Sequence, residues 1–330
     1  CIFFSKQSLK KPWLKKAEQT YIELVHKISA VTPIVILIDD CLSVDDVKTK
    51  LTLNHTNLSS VNFISVNYDD TWVRDFGVIT LVDDLTPKIT QSLNFTFNAW
   101  GDKFANNLDN LINSKLESKS FFRQPLKKID FILEGGSIET DGQGTLLTTE
   151  TCLLNPNRNK HLSQQQIEGQ LKQLLNVDRV LWLKHGHLSG DDTDAHIDTL
   201  ARFVDAQTIV FQGCTDLNDE NYIHLNKMKD ELLSLKTKQG FPYRLIELPL
   251  AQAQFDIKKN RLPASYVNFL ISHKHIFVPF YGCKQDQIVL NQLKQALPNY
   301  SIRAINCRTL IEQFGSLHCI TMQLPKYVMQ

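Results

Sequence analysis

The sequence lacks an excess of charge of either sign. Its 330 residues include 36 lysines and arginines against 35 aspartates and glutamates, which leaves a formal net charge of +1. A protein that binds DNA, RNA or an anionic membrane mainly through charge needs a positive surplus to neutralise phosphates. The composition therefore predicts that neither a nucleic acid nor a membrane is a partner of this chain.

Long apolar runs and closely paired cysteines are also missing. The longest apolar stretch near the start, residues 33–39, is far shorter than the roughly 20 residues that a membrane-spanning helix needs. Nothing before it resembles a signal peptide. The seven cysteines are scattered without a CxxC spacing, which argues against a disulfide framework or a zinc site. We therefore expect a cytoplasmic protein with reduced thiols.

Helical and strand patterns alternate along the whole chain. A helical spacing of apolar residues over 13–28 precedes a short β-branched run at 33–39, which predicts a helix and then a buried strand. The same reasoning predicts strands at 61–66, 179–183, 243–247, 275–278 and 301–305 and helices at 163–175, 221–235 and 285–297. No linker rich in Pro, Gly or Ser divides the chain, so we expect one α/β domain over 1–330, with two independent domains as the alternative.

Four polar clusters follow predicted strands, where loops commonly carry functional groups. They cover residues 69–77, 131–137, 191–198 and 315–321. In the second cluster Glu134 ends an apolar strand and two glycines follow, which allows a sharp turn and the close approach of a ligand. An exposed Glu134 beside an ordinary turn is the alternative. The sequence TDGQG at 140–144 predicts a hairpin loop.

The third cluster surrounds His196 with four aspartates. A solvated acidic loop would explain this composition, and a metal site using His185, His187 and His196 is a weaker alternative because the spacing is not diagnostic. The alternation His196-Ile-Asp198 predicts an extended segment with the imidazole and the carboxylate on one face.

Cys319 lies in an apolar context that predicts a strand. A small buried thiol is the ordinary interpretation of such a cysteine. The adjacent His318 would point to the opposite face of a strand, so it is a poor base for Cys319. A nucleophilic Cys319 would need a histidine from elsewhere in the fold, and His196 is the candidate.

The clusters, in this order, resemble the family of agmatine deiminases and bacterial peptidyl-arginine deiminases, which are guanidine-modifying enzymes. The matching stretches are WVRDFG (72–77), FNAWG (97–101), EGGSIETDGQGTLLTTETCLLNPNRN (134–159), DDTDAHIDTLARFV (191–204) and GSLHCITMQLP (315–325). The sequence departs from the usual pattern at Val78 in place of Pro, Ala195 in place of Gly, and Ser316 in place of a small residue or Gly.

The resemblance implies a fold and a set of site residues. The fold would be a single-domain, five-bladed α/β propeller with pseudo-fivefold symmetry, of the pentein type. Cys319 would be the nucleophile, and Glu134 would orient His196. Asp75 and Asp198 would bind the substrate guanidinium, while the two remaining site residues, Trp72 and Arg74, would line or brace the pocket.

The resemblance also implies a reaction. The substrate would be a small guanidine compound, preferably agmatine, which would be hydrolysed through a covalent Cys319 thiouronium with no metal and no organic cofactor. Free arginine and peptidyl-arginine are alternative substrates, and a catalytically silent guanidine or polyamine binder is the alternative outside the enzymes. A homodimer or a higher homo-oligomer is a further expectation.

Overall fold

The chain folds into two compact units. The computed structural model describes residues 2–4, 13–83, 85–86 and 90–330. One unit comprises Cys1–Gly135 with Cys319–Gln330, and the other comprises Gly136–His318. The single domain expected over 1–330 stays a prediction, and each unit is described separately below.

The first unit contains two three-stranded sheets among its described residues. Their strands are β1 (Ile2–Phe4), β2 (Ile34–Ile38) and β3 (Val61–Ser65), and β4 (Ile79–Val82), β5 (Thr90–Thr96) and β6 (Lys127–Ile132). Its helices are α1 (Leu14–Ser29), α2 (Val44–Leu53), α3 (Val73–Phe76), α4 (Ala99–Asp102) and α5 (Ile112–Ser118). The last residues return to this unit, because the N–H of Arg123 donates to the carbonyl oxygen of Val328 at 2.9 Å.

The second unit contains three three-stranded sheets and one two-stranded sheet. The strands are β7 (Ile138–Thr140), β8 (Thr145–Thr149), β9 (Arg179–Leu183), β10 (Ala201–Asp205), β11 (Thr208–Gln212), β12 (Arg244–Leu248), β13 (Gln254–Phe255), β14 (Arg261–Leu262), β15 (Leu270–Ser272), β16 (His275–Phe280) and β17 (Ser301–Asn306). The helices are α6 (Glu150–Leu153), α7 (Gln164–Leu175), α8 (Tyr222–Ser234) and α9 (Gln285–Ala296).

Four of the three-stranded sheets in the described part repeat one connection. The first strand pairs antiparallel with the second, and the second pairs parallel with the third after a crossover that contains helix. The sheet of β1 to β3 differs because all its pairs are parallel. A parallel crossover requires a long connection, and this requirement explains the alternation of helix and strand patterns in the sequence.

The middle strands lie in the core. Every residue of β2, β8 and β11 is buried. A strand covered on both faces tends to be apolar throughout instead of alternating. Strand β8 also contains buried polar residues. One of them, Thr148, donates its hydroxyl hydrogen to the carbonyl oxygen of Ser137 at 2.7 Å.

Helix α7 shows how local signals fix an element. The hydroxyl of Ser163 accepts from the N–H of Gln166 at 3.3 Å, and the Gln166 side chain accepts from the N–H of Ser163 at 2.8 Å. This reciprocal capping begins the helix. Ile167, Leu171 and Leu175 form its buried stripe. The helix predicted over 163–175 is therefore confirmed.

The other predicted helices and the strands predicted at 33–39, 61–66, 179–183, 243–247, 275–278 and 301–305 are also confirmed, with ends that differ by one or two residues, and β7 and β8 form the predicted hairpin. Among the residues that the structure describes, no helix is both long and apolar enough to cross a membrane.

Candidate active site

In the first unit, Trp72, Arg74 and Asp75 are all buried around the short helix α3. The N–H of Arg74 donates to the carbonyl oxygen of Cys319 at 3.0 Å. Its guanidinium donates to Sδ of Met322 at 3.4 Å and also contacts Oε1 of Gln323. Arg74 therefore braces the segment that begins at Cys319.

The loop before Trp72 is fixed by a carboxylate from a distant segment. Asp109 accepts the backbone N–H of Asp69 at 2.7 Å and that of Asp70 at 3.0 Å. Burial raises the pKa of Asp109 to about 8, although these N–H donors favour its charged form. No local pattern in the sequence indicates this role of Asp109, because its partners lie about 40 residues away.

Asp75 has an aromatic partner that the sequence analysis did not single out. The indole Nε1–H of Trp100 donates to Oδ2 of Asp75 at 3.0 Å, and both residues are buried. Trp100 lies in α4, where φ is +49° at Ala99, +58° at Trp100, +93° at Gly101 and +61° at Asp102. Such a left-handed turn is sterically costly for residues with a side chain, and strain of this kind often marks functional segments. In the sequence, Trp100 is marked only by the motif FNAWG at 97–101.

Glu134 follows β6 and is completely buried, with 0% of its surface exposed. The alternative of an exposed glutamate beside an ordinary turn is therefore wrong. Gly135 explains the two-glycine pattern in part, because a Cβ there would lie 2.2 Å from the carbonyl oxygen of Arg74. A side chain cannot be accommodated at that distance without a backbone shift.

The apolar context of Cys319 predicted a strand, but Cys319 does not lie on one. Leu317 to Ile320 form turns, and only 7% of Cys319 is exposed. The backbone here is hydrogen-bonded to a loop and to a short helix: the N–H of His318 donates to Asn268, and the carbonyl oxygen of Cys319 accepts from the N–H of Arg74 in α3. These bonds replace the ladder of a strand. The expectation that His318 and Cys319 point to opposite faces of a strand therefore does not hold.

In the second unit, His196 and Asp198 are both buried. The expected extended segment is wrong, because Ile197–Thr199 is a 3-10 helix that starts directly after His196. The N–H and the hydroxyl of Thr199 both donate to the carbonyl oxygen of His196, at 3.2 and 2.9 Å. These two bonds close the turn.

The acidic loop before His196 is held internally and is not freely solvated. Asp191 accepts from the hydroxyl of Thr193 at 2.6 Å and from the N–H of Ala195 at 2.7 Å. The buried guanidinium of Arg158 donates to Asp194 at 2.8 Å and to the carbonyl oxygen of Thr193 at 3.1 Å. Asp194 and Ala195 have φ of +67° and +66°. Glycine adopts such positive φ values more readily than alanine does.

Asp198 has a ring partner as well. Nδ1 of His318 lies 2.7 Å from Oδ2 of Asp198, and both side chains are buried. When Asp198 is ionised, Nδ1 of His318 is the donor in this contact, because an ionised carboxylate only accepts hydrogen bonds. Asn268 accepts the N–H of His318 at 2.9 Å and donates to the carbonyl oxygen of Asp198 at 3.4 Å. His318 and Asp198 lie 120 positions apart, so no local pattern in the sequence predicted this contact.

Two of the three histidines of the alternative metal site, His185 and His187, have other partners. Nδ1 of His185 lies 2.7 Å from Oε1 of Glu231, and the ring of His187 packs edge-on against that of His224. Both partners belong to α8. These contacts do not support a metal site that combines His185 and His187 with His196.

The predicted site residues thus fall into two groups. The first unit carries a buried thiol with two buried carboxylates, from Cys319, Asp75 and Glu134, and the second carries a buried imidazole with a carboxylate, from His196 and Asp198. A thiol can act as a nucleophile, an imidazole can transfer protons, and carboxylates can bind a cation.

Known proteins resemble this chain along nearly its whole length. Residues 1–325 match the family model described as Porphyromonas-type peptidyl-arginine deiminase. A candidate agmatine deiminase of Legionella pneumophila (strain Paris) is 34% identical over 318 residues, which cover 95% of this chain and 88% of that protein.

Solved structures are similar as well. An agmatine deiminase of C. jejuni, with a cysteine-to-serine substitution and substrate bound, has a TM-score of 0.88 and 40% identity, over 98% of this chain and 92% of that one. The agmatine deiminase of Enterococcus faecalis has a TM-score of 0.85 and 26% identity, over 99% and 93% of the two chains.

Proposed function

The chain belongs to the family of Porphyromonas-type peptidyl-arginine deiminases, and from this membership we propose that it hydrolyses agmatine to N-carbamoylputrescine and ammonia. The observation that carries the proposal is the 40% identity, over 98% of the chain, to an agmatine deiminase with substrate bound. The enzyme is a hydrolase of C–N bonds in linear amidines, and its product belongs to putrescine and polyamine biosynthesis.

The proposed substrate group explains why buried acids occur in a nearly neutral protein. A guanidinium is a planar cation whose N–H groups form paired, charge-assisted hydrogen bonds with carboxylates. Asp75 and Asp198, both buried, bind this group. Glu134 orients the imidazole of His196, and Trp72 and Arg74 brace the residues that contact the substrate.

The proposed reaction has two stages. The thiolate of Cys319 attacks the guanidinium carbon and forms a tetrahedral adduct, from which one nitrogen leaves as ammonia after His196 protonates it. The C–N bond breaks and a positively charged thiouronium remains on Cys319. A water molecule, deprotonated by His196, then adds to the same carbon, the C–S bond breaks, and the urea-type product leaves. No redox step and no metal ion take part.

For the whole chain we propose the five-bladed propeller with pseudo-fivefold symmetry. The five three-stranded sheets of the described residues support this proposal, because each keeps its strands in sequence order with the second strand in the middle. Four of them also share the hairpin and crossover connection. The cytoplasmic location and a homo-oligomeric state remain predictions from the sequence.

Arginine or peptidyl-arginine is the second candidate substrate. A solved structure described as a peptidyl-arginine deiminase candidate is 41% identical to this chain, and another, from Porphyromonas gingivalis and described as an arginine deiminase candidate, is 39% identical. A catalytically silent guanidine binder is less favoured, because a binder needs the carboxylates but has no use for Cys319.

One experiment tests both the substrate and the nucleophile. Ammonia release is measured with agmatine, arginine and a blocked peptidyl-arginine for the native protein and for Cys319→Ser. We expect turnover of agmatine and a loss of roughly a hundredfold or more in kcat for the variant, because a serine hydroxyl is a far weaker nucleophile than a thiolate.

The exposed Cys41 provides the matched control, so Cys41→Ser should keep full activity. Acid quenching during turnover should trap a covalent adduct on Cys319 that intact mass detects. Activity only on arginine or its peptide would change the substrate and keep the mechanism. Full activity of Cys319→Ser would refute the nucleophile.

A further inference from the structure

Both carboxylates that the proposed function assigns to the guanidinium receive a hydrogen bond from a ring N–H of their own unit. Trp100 Nε1–H donates to Oδ2 of Asp75 at 3.0 Å, and His318 Nδ1–H donates to Oδ2 of Asp198 at 2.7 Å. All four side chains are buried. In both contacts a buried ring nitrogen therefore lies at hydrogen-bond distance from Oδ2 of a buried aspartate.

The chemistry of the donors is informative. Lysine or arginine would orient a buried carboxylate equally well, but its full positive charge would cancel the negative charge that attracts a cationic substrate. An indole has an N–H donor and no charge, and a neutral imidazole donates through one nitrogen only. Ring N–H donors can thus fix the plane of a carboxylate while its charge remains available.

The backbone around Trp100 is strained, as expected where a fold holds one side chain in a particular direction. The left-handed turn of α4 is closed by the N–H of Gly101, which donates to Oδ1 of Asn98 at 3.1 Å. The indole packs edge-on against Phe97, with ring centroids 5.1 Å apart, and against Phe104 at 5.7 Å. A strained turn that is kept in place by a cap and by packing suggests that the direction of its side chain matters.

The position of His318 is fixed as firmly. Asn268 accepts the main-chain N–H of His318 through both its carbonyl oxygen, at 3.1 Å, and its side-chain Oδ1, at 2.9 Å. The side chain of the same Asn268 donates to the carbonyl oxygen of Asp198. One residue therefore ties the donor and the acceptor of this pair together.

We propose that Trp100 and His318 are positioning residues that orient the carboxylates of Asp75 and Asp198 toward the planar guanidinium of the substrate. This proposal rests on the proposed function, since it takes from it the role of both aspartates. Neither ring touches the reacting atoms. Each acts through its aspartate, so its loss should weaken substrate binding and turnover together.

The test compares substitutions that remove the donor with substitutions that keep it. At position 318, His318→Leu removes the N–H, whereas His318→Asn, of similar size to leucine, keeps a donor near Nδ1. At position 100, Trp100→Phe removes the donor and keeps an aromatic ring, whereas Trp100→His keeps an N–H at the equivalent ring position. Thermal unfolding of each variant separates the loss of structure from the loss of orientation.

Two quantities are measured with agmatine. Steady-state kinetics of each variant give kcat and KM, and calorimetry of each variant combined with Cys319→Ser gives the dissociation constant without turnover. We expect Trp100→Phe and His318→Leu to lower kcat/KM about tenfold to a hundredfold and to weaken binding in parallel. Trp100→His and His318→Asn should each recover a large part of both losses.

The outcomes separate the proposal from the function on which it rests. A native protein that deiminates agmatine, with Trp100→Phe and His318→Leu folded and fully active, would overturn the positioning roles alone. Equal losses in the donor-keeping and donor-removing variants would also overturn them, because packing would then be the cause. If the native protein turns over none of the three guanidine substrates, the proposed function fails, whereas calorimetry with agmatine still decides the positioning roles.

Discussion

The main chain of Gly135 lies so close to Arg74 that a Cβ on the glycine would be 2.2 Å from the carbonyl oxygen of Arg74. Arg74 in turn donates its N–H to the carbonyl of Cys319. Gly135 also directly follows the buried Glu134 in the chain. The backbone contact between Gly135 and Arg74 thus links the segment of Glu134, the proposed catalytic carboxylate, to the residue that supports Cys319.

This contact predicts that Gly135→Ala impairs both stability and activity. The methyl group must push the backbone of Arg74 or of Glu134, which should cost about 1–3 kcal/mol of unfolding free energy and lower kcat/KM. The control is Gly169→Ala in α7, where an added Cβ meets no atom within 4 Å. That substitution should raise the free energy of unfolding by about 0.5–1 kcal/mol. Denaturant unfolding and ammonia release check both, and an unaffected Gly135→Ala would refute the close approach.

The charge of the two aspartates should matter more than their shape. Asn at position 75 or 198 still accepts the ring N–H but has no charge to bind a cation. We expect Asp75→Asn and Asp198→Asn to lower kcat/KM by on the order of 2–5 kcal/mol of transition-state free energy. Asp178→Asn, which removes an exposed pair with Lys238, should leave kinetics unchanged. Near-normal kinetics of both site variants would mean that the guanidinium binds elsewhere.

Arg158 should stabilise the loop that leads to His196. Replacing its buried guanidinium by Arg158→Met removes the ion pair with the partly buried Asp194 and the hydrogen bond to the carbonyl oxygen of Thr193. We expect a loss of about 2–4 kcal/mol in unfolding free energy and a lower kcat. The partly exposed pair of Lys172 and Glu168 gives the control, where Lys172→Met should change stability by at most about 0.5 kcal/mol. Similar small effects of both variants would contradict this role.

Asp109 should make stability depend on pH. Burial raises its pKa to about 8, well above that of an unfolded aspartate, so the folded protein binds one more proton in the interval between the two values. Its contribution to stability is complete below about pH 4 and is lost as the pH rises toward 8. Asp109→Asn keeps an acceptor for the loop N–H groups and cannot ionise. The unfolding free energy of the native protein minus that of the variant should therefore fall between about pH 4 and about pH 8. A constant difference would contradict the raised pKa.

Removal of metal ions should not affect the reaction. In the proposed mechanism Cys319 supplies the nucleophile and His196 transfers the protons, so no step is left for an ion. Protein treated with a strong chelator should still convert agmatine to N-carbamoylputrescine and ammonia in a one-to-one ratio. Loss of activity that a divalent ion restores would instead favour a metal site that uses His196.

The sequence by itself determined the elements whose signals are local. Ser163 and Gln166 cap α7 within one turn, and the apolar run of β2 predicts a strand buried on both faces. Cys319, His196 and the acids could be selected as chemistry-bearing residues because they stand in short motifs that resemble a family. In each case the information lies within a few neighbouring residues.

Only the tertiary structure decided which side chains serve those residues. Trp100 lies 25 positions from Asp75 and His318 lies 120 positions from Asp198, so no periodic pattern could have paired them. The extended segment at His196 and the strand at Cys319 were predicted wrongly, because hydrogen bonds outweigh local propensity there. Thr199 donates to His196, Arg74 donates to Cys319, and Asn268 accepts from His318. A buried polar group must find a partner wherever the fold provides one, and that partner is chosen by distance in space, which the order of residues along the chain does not contain.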